Sequence, residues 1–271
     1  LQTIVAMTGF GRTSDEAVFE ALRRIASRDK GSTADMALIQ AHMQRGQSDA
    51  ALKALAALDA KLPAEPSRHV LRGQILAGKQ DWAGARQAFE AALAMAAHDL
   101  PAITALAALD ARENKPEAAQ QRFRQLLKAQ PGNARAMLGL AEVIERQKRD
   151  DADVLKLRRA AVKAAPGDPD AQITLIQHHL QRRENEAALT AAQAATTSVP
   201  DNIDLLELLG RCEVASQRTS QALASFGKII TLAPRSPRGH VLTAALQAQL
   251  GELEAARRSV DKALQAAPDH A

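Results

Sequence analysis

An alanine returns every 34 residues, at Ala17, Ala51, Ala85 and Ala119 and then, after one inserted residue, at Ala188, Ala222 and Ala256, with Val154 holding the place between. A proline keeps the same period twelve residues later, at Pro63, Pro131, Pro166, Pro200, Pro234 and Pro268, with Asp29 and Ala97 in the two remaining places. Two markers in phase require a chain built from one repeated supersecondary unit, so the usual relation between length and domain number does not apply.

The repeat is helical. Hydrophobic residues make up 46% of the chain but aromatics only 2%, with no Tyr, so the interior is thin and built from Ala and Leu, which excludes a β-sandwich. Within each period two helical patterns are separated by turn residues. Asp168-Pro169 and Ser236-Pro237 each pair a capping side chain with a proline at the first helical position, and Asn114-Lys115-Pro116 opens a second helix in the same way. Gly46 and Gly251 suit the left-handed conformation that ends a first helix.

Short turns force the two helices of a unit to lie antiparallel, and the recurring alanine lets their backbones approach. The facing first-helix position reads Val5, Ile39, Gly73, Ala107, Ala141, Ile176, Gly210 and Ala244, small in five of eight copies; the larger three are expected to shift the packing. Four residues beyond the alanine stand Ala21, Leu55, Phe89, Phe123, Arg158, Ala192, Phe226 and Val260, most of which can plug the gap. Such a unit cannot bury both its faces alone, so stability comes from stacking neighbours.

These residues resemble the tetratricopeptide repeat, a helix-turn-helix unit, over nearly the whole chain. The best copies are Leu206, Leu209, Gly210, Ala222, Phe226 and Pro234, and Gly73, Trp82, Ala85, Phe89 and Ala92. The resemblance implies an all-α fold: an α-solenoid in which antiparallel helix pairs stack as a right-handed superhelix. One domain then covers 1–271, with a truncated repeat at 1–31 and repeats at about 32–65, 66–99, 100–133, 134–168, 169–202, 203–236 and 237–271. The segments Lys115-Pro116-Glu117-Ala118-Ala119, Leu205 to Gly210 and Gln221 to Phe226 further resemble the large repeat lipoproteins of the PEP-CTERM/exosortase system, associated with bacterial exopolysaccharide clusters. That resemblance implies a periplasmic protein held at a membrane by a lipid anchor. The chain opens at Leu1 without Met or signal peptide, so the expectation is a fragment of a longer protein whose anchor lies outside it.

In this family the first helices line a concave groove, which places the binding surface at the second, fifth, ninth and twelfth positions of each repeat. Those positions supply Val70, Gln74, Ala77, Thr104, Ala108 and Ala111, a small and mildly apolar floor with room for a helix or an extended peptide. Further along they supply Arg135, Glu142 and Glu145 with nearby Arg146, and then Asp204, Glu207 and Arg211, so the groove is of mixed sign. The clamp that holds acidic chaperone tails in some family members has no counterpart here. The insertion crowds Glu145, Arg146, Lys148, Arg149, Asp150, Asp151 and Asp153 into one turn, which reads as a solvated loop, with a bend or an interaction surface as the other reading. Arg158 at a plug position is expected to lay its stem over apolar neighbours.

Other chemistry is sparse. His42, His69, His98, His240 and His270 are scattered, and His178-His179 point about 100° apart on a helix, so no metal site is expected. Trp82 reads as a packing wedge. Cys212 is the single cysteine, excluding an internal disulfide, and reads as buried and inert. No nucleophile elbow, phosphate loop or metal-binding helix motif occurs, so neither catalysis nor a cofactor is expected. A formal charge of +4 over this length does not make a nucleic-acid groove, and no run reaches the ~18 apolar residues of a membrane span. The function expected is an interaction scaffold holding a peptide or protein in its groove, in an envelope assembly. The alternative is a cytoplasmic regulatory or peptide-sensing module of a larger protein. The last repeat leaves an apolar face open to self-association.

Overall fold

The computed structural model describes the backbone of residues 12–147 and 151–267, and the side chains of residues 17–147 and 152–267. Every regular element among the described residues is an α-helix. The chain divides into two compact units, Leu1–Ala129 and Gln130–Ala271. Unit 1 holds α1 (Arg12–Arg28), α2 (Thr33–Gln44), α3 (Ser48–Lys61), α4 (Pro66–Gly78), α5 (Trp82–Met95), α6 (Leu100–Arg112) and α7 (Pro116–Ala129). Unit 2 holds α8 (Ala134–Arg146), α9 (Asp151–Ala164), α10 (Pro169–Gln181), α11 (Asn185–Ser198), α12 (Ile203–Ala215), α13 (Thr219–Leu232), α14 (Arg238–Gln249) and α15 (Leu253–Ala266). First and second helices alternate, so α2, α4 and α6 in unit 1 and α8, α10, α12 and α14 in unit 2 are first helices.

Local chemistry sets the boundaries. The carboxylates of Asp81 and Asp99 and the amides of Asn133 and Asn202 accept from backbone N–H groups at the starts of α5, α6, α8 and α12. Asp168 caps α10 ahead of Pro169 as expected. The Ser236-Pro237 expectation is corrected: Pro237 itself is the N-cap residue and α14 begins at Arg238, with a long 3.4 Å contact from the Arg238 N–H to Ser236.

The turn that ends a first helix needs one left-handed residue, and it returns with the period of the repeat. Gly46 (φ 68°), Gln80 (65°), Asn114 (58°), Arg183 (58°), Gln217 (60°) and Gly251 (78°) all occupy it. Asn114 therefore ends a first helix, and Pro116 opens the next. Two of these six are glycine and Asn114 also tolerates this conformation, so the tertiary packing of the pair holds the other three, Gln80, Arg183 and Gln217, in place.

Ala51, Ala85, Ala119, Ala188 and Ala222 have no exposed surface, which places the repeated alanine in the helix–helix contact. In two copies the plug is a ring that fills the space left by a facing glycine. A Cβ on Gly73 would stand 2.4 Å from the Phe89 ring, and one on Gly210 would stand 2.2 Å from the Phe226 ring. Where the first helix carries a large residue the copies differ: Ile176 shares its apolar cluster with the small Ala192, whereas Ile39 shares its cluster with the equally large Leu55. Val5 and Pro268 to Ala271 lie outside the described residues.

Candidate functional site

Residues spaced three and four apart form one stripe along a helix, so the second, fifth, ninth and twelfth positions of the first helices define a surface. In unit 1 this stripe exposes Met36, Gln40, Gln74, Thr104 and Ala108, with Ala77 and Ala111 half-buried. Val70 is a correction. It is only 6% exposed and belongs to an apolar cluster with Phe89, Ala102, Leu106 and Leu109, so it packs beneath the surface instead of lining it. Met36 and Gln40 were not singled out from sequence, although each lies one period before Val70 and Gln74.

No exposed residue of this stripe is charged, and the charges elsewhere on the same helices are tied to second helices. Asp35 of α2 accepts from Lys61 of α3 at 2.8 Å. Arg68 and Arg72 of α4 share Asp59 of α3 at 3.3 and 2.7 Å, and Arg68 also donates to the carbonyl oxygens of Leu58 and Leu62. Asp110 of α6 is buried between Arg86 of α5, at 2.9 Å, and Arg122 of α7. Arg86 also reaches Glu113 at 2.9 Å; burial works against its charge, but the hydrogen bonds to Glu113 and Asp110 outweigh it and raise its pKa. Arg112 lies 3.8 Å above the Trp82 ring, a cation–π contact that gives Trp82 the packing role read from sequence.

Unit 2 is built differently at the same positions. Arg135 is exposed, and Glu142 pairs with Arg146 on its own helix at 2.6 Å. Asp204 and Glu207 of α12 both hold Arg238 of α14, at 2.7 and 2.6 Å, while Arg211 stands 3.8 Å from Glu207. Burial lowers the Arg238 pKa, but hydrogen bonds to the two carboxylates more than compensate and raise it. Asp204, Glu207 and Arg238 thus clasp the first helix α12 to the next, α14. The residues named from sequence thus separate into an uncharged set in unit 1, Gln74, Ala77, Thr104 and Ala108, and a charged set in unit 2, of which Glu142, Glu145, Asp204, Glu207 and Arg211 are ion-paired.

Arg158, at a plug position, adds polar partners that the sequence did not reveal. It is buried, and its guanidinium donates to Glu145 at 2.8 Å and to Nδ1 of His178 at 2.7 Å. An arginine has no lone pair to offer, so His178 accepts through Nδ1 and carries its proton on Nε2. His179, its ring edge-on to that of His178 with centroids 5.8 Å apart, meets Glu184 at 2.5 Å. Lys148, Arg149 and Asp150 of the inserted turn lie outside the described residues; of the rest, Glu145 is drawn into the Arg158 node while Asp153 is exposed.

Cys212 is fully buried, and that burial pushes its thiol up to about 12, so no thiolate forms at neutral pH. Burial also raises the pKa of Glu213, against a 2.7 Å hydrogen bond donated by Ser225 and the charge of Arg218. No group of three or more His, Cys, Asp or Glu among the described residues has the arrangement of a metal site. No described helix is long and apolar enough to cross a membrane.

An all-α array of antiparallel helix pairs with this surface defines a helical-repeat protein. The family model described as tetratricopeptide repeat matches residues 36–99, 104–169, 173–237 and 213–271, and the chain belongs to that family. Proteins of this family are generally interaction scaffolds. Among solved structures the chain is similar to yeast Tom70, with 15% identity and a TM-score of 0.65 over 94% of this chain and 56% of that one. It is also similar to MamA (20% identity, TM-score 0.48, covering 58% of this chain and 91% of that one). A third is YrrB, described as a TPR protein with an unusual peptide-binding site (20% identity, TM-score 0.49, 68% and 95% covered). At these identities the likeness is one of fold. A comparison with curated protein sequences finds no match.

Proposed function

We propose that the chain is a non-catalytic scaffold whose unit 1 stripe binds an uncharged segment of a partner protein. One observation carries this reading: in a chain with 24% charged residues, the exposed stripe of α2, α4 and α6 bears none. Gln40 and Gln74 each offer a donor and an acceptor suited to main-chain amides, and Ala77, Ala108 and Ala111 leave room for the ligand backbone to approach. Charges on the ligand would find no partner there and would be desolvated at a cost.

The test is selection of displayed peptides of random sequence on the whole chain. The expected outcome is a bound pool depleted in Asp, Glu, Lys and Arg relative to the library, with affinity nearly independent of salt. Enrichment of acidic or basic peptides would refute the uncharged ligand, and the absence of any selected peptide would refute the stripe as a binding surface.

The setting we propose is the bacterial envelope, beside exopolysaccharide or protein-sorting machinery. It rests on the sequence resemblance of residues 115–119, 205–210 and 221–226. A signal peptide and lipid-attachment cysteine in the full-length gene product would support it. A fused kinase, cyclase or DNA-binding domain would replace it with the cytoplasmic regulatory reading.

A further inference from the structure

A second site, separate from the stripe and independent of the peptide reading, lies at the turn between α2 and α3 in unit 1. Arg23 of α1, His42 of α2, Ser48, Asp49 and Ala50 of α3 and Lys79 just after α4 line an open cavity of about 590 Å³. Most of what they offer it is hydrogen-bond donors. The side chain of Gln47, the residue before α3, is engaged with His42 and caps nothing, so the N–H groups of Ser48, Asp49 and Ala50 have neither an intrahelical nor a capping partner. Ser48 adds a hydroxyl, and Arg23 a half-exposed guanidinium 3.8 Å from Glu20. The carboxylate of Asp49 is held by the Lys79 ammonium, which offsets its charge.

A bare helix start would hold any anion weakly, and His42 makes this one selective. His42 is only 4% exposed, and its Nδ1 lies 2.7 Å from Oε1 of Gln47. A carbonyl oxygen has no proton to give, so Nδ1 carries the hydrogen and donates it, and Nε2 presents a lone pair. That atom has no partner among the described residues and is not sealed in the interior, so it opens on the cavity. An acceptor in so buried a side chain favours a ligand that can donate to it.

The same turn recurs in unit 2 with its charges changed. His179 stands at the position of His42, but its Nδ1 meets the carboxylate of Glu184 where Gln47 stands in unit 1, and Ala160 takes the place of Arg23. The histidine therefore returns with the repeat, whereas the groups that attract an anion belong to the His42 turn.

We propose that this cavity binds inorganic phosphate as hydrogenphosphate, whose unprotonated oxygens take the α3 N–H groups, the Ser48 hydroxyl and Arg23 while its O–H donates to Nε2 of His42. The opening is larger than the ion, which keeps part of its water shell. Sulfate has the same shape but no proton at neutral pH, and sets an oxygen lone pair against that of Nε2. The dianion of a phosphate monoester fails in the same way.

The test is titration of the isotope-labelled whole chain, followed by amide NMR at constant ionic strength and about pH 8, above the usual range of histidine protonation. Inorganic phosphate should shift the Ser48, Asp49 and Ala50 signals saturably, and sulfate and N-acetyl-phosphoserine amide should bind about tenfold or more weakly. The first turn of α11, at Asn185 and Glu186, is the internal control and should not respond. Arg23→Gln, at an exposed side chain, should weaken phosphate about fivefold or more and leave the melting temperature unchanged. Absence of saturation, sulfate or the monoester binding as tightly as phosphate, equal shifts at Asn185, or undiminished affinity in the Arg23→Gln chain would overturn the assignment.

Discussion

Units 1 and 2 use the same helix pair and differ in where they spend their charges. In unit 1, Asp35, Arg68, Arg72 and Asp110 turn away from the exposed stripe and pair with second helices, leaving Gln40, Gln74, Thr104 and Ala108 uncharged at the surface. In unit 2 the stripe positions themselves carry the pairing groups, and Asp204, Glu207 and Arg238 join consecutive first helices. The contrast shows that one repeat geometry can present either an open or a self-satisfied surface. Which one results depends on whether charge sits on the stripe or a few positions around the helix from it. A ligand meeting the α12–α14 clasp would have to break existing ion pairs, whereas the unit 1 stripe carries none to break.

The largest effect should come from the buried end of this comparison. Asp110→Ala strands Arg86 and Arg122 against a buried site and is expected to cost about 2–4 kcal/mol in urea unfolding, moderated by the partial exposure of both arginines. Arg238→Ala, in the more exposed clasp of unit 2, should cost only about 0.5–1 kcal/mol. Equal costs would mean that the two units do not differ in how deeply their charges are placed.

Packing, by contrast, should be shared. Gly73→Ala and Gly210→Ala drive a methyl into the Phe89 and Phe226 rings, and each is expected to cost roughly 1–3 kcal/mol in thermal melts. A neutral result for one alone would show that the units pack by different rules.

A smaller effect concerns Glu213, whose pKa in the folded chain is raised, chiefly by burial. The sign follows from linkage. The folded state holds this proton more tightly than the unfolded state, so the contribution is favourable below the ordinary glutamate range and is lost as pH rises through the folded value. Glu213→Gln keeps an acceptor for Ser225 and should raise the melting temperature at pH 7, with the advantage shrinking toward pH 4. A variant less stable than the parent at pH 7 would assign the carboxylate a net stabilising role.

Much of the fold was legible in the sequence because the helix pair is specified locally and restated every period. The alanine contact, the short turns and the Asp168-Pro169 start all hold. The turn conformation was read from sequence at Gly46 and Gly251 and missed at Asn114, whose side chain tolerates it, while Gln80, Arg183 and Gln217 adopt it without any local preference for it. The candidate stripe was legible as a spacing, but the burial of Val70 was not, because burial depends on how closely the next first helix approaches. The Arg158 node joins side chains 20 and 13 residues away on other helices, and periodicity does not encode which way a long side chain reaches. The pairing of Asp204 and Glu207 with Arg238 was hidden for the same reason.

The most direct test of the division between the units is calorimetric titration of a selected peptide into Ala108→Arg, with the thermal melt recorded on the same sample. A charge placed on the open stripe should weaken binding about tenfold or more while leaving the melt unchanged, because Ala108 is exposed. Undiminished affinity with an unchanged melt would contradict the account and move the binding surface off the first helices of unit 1.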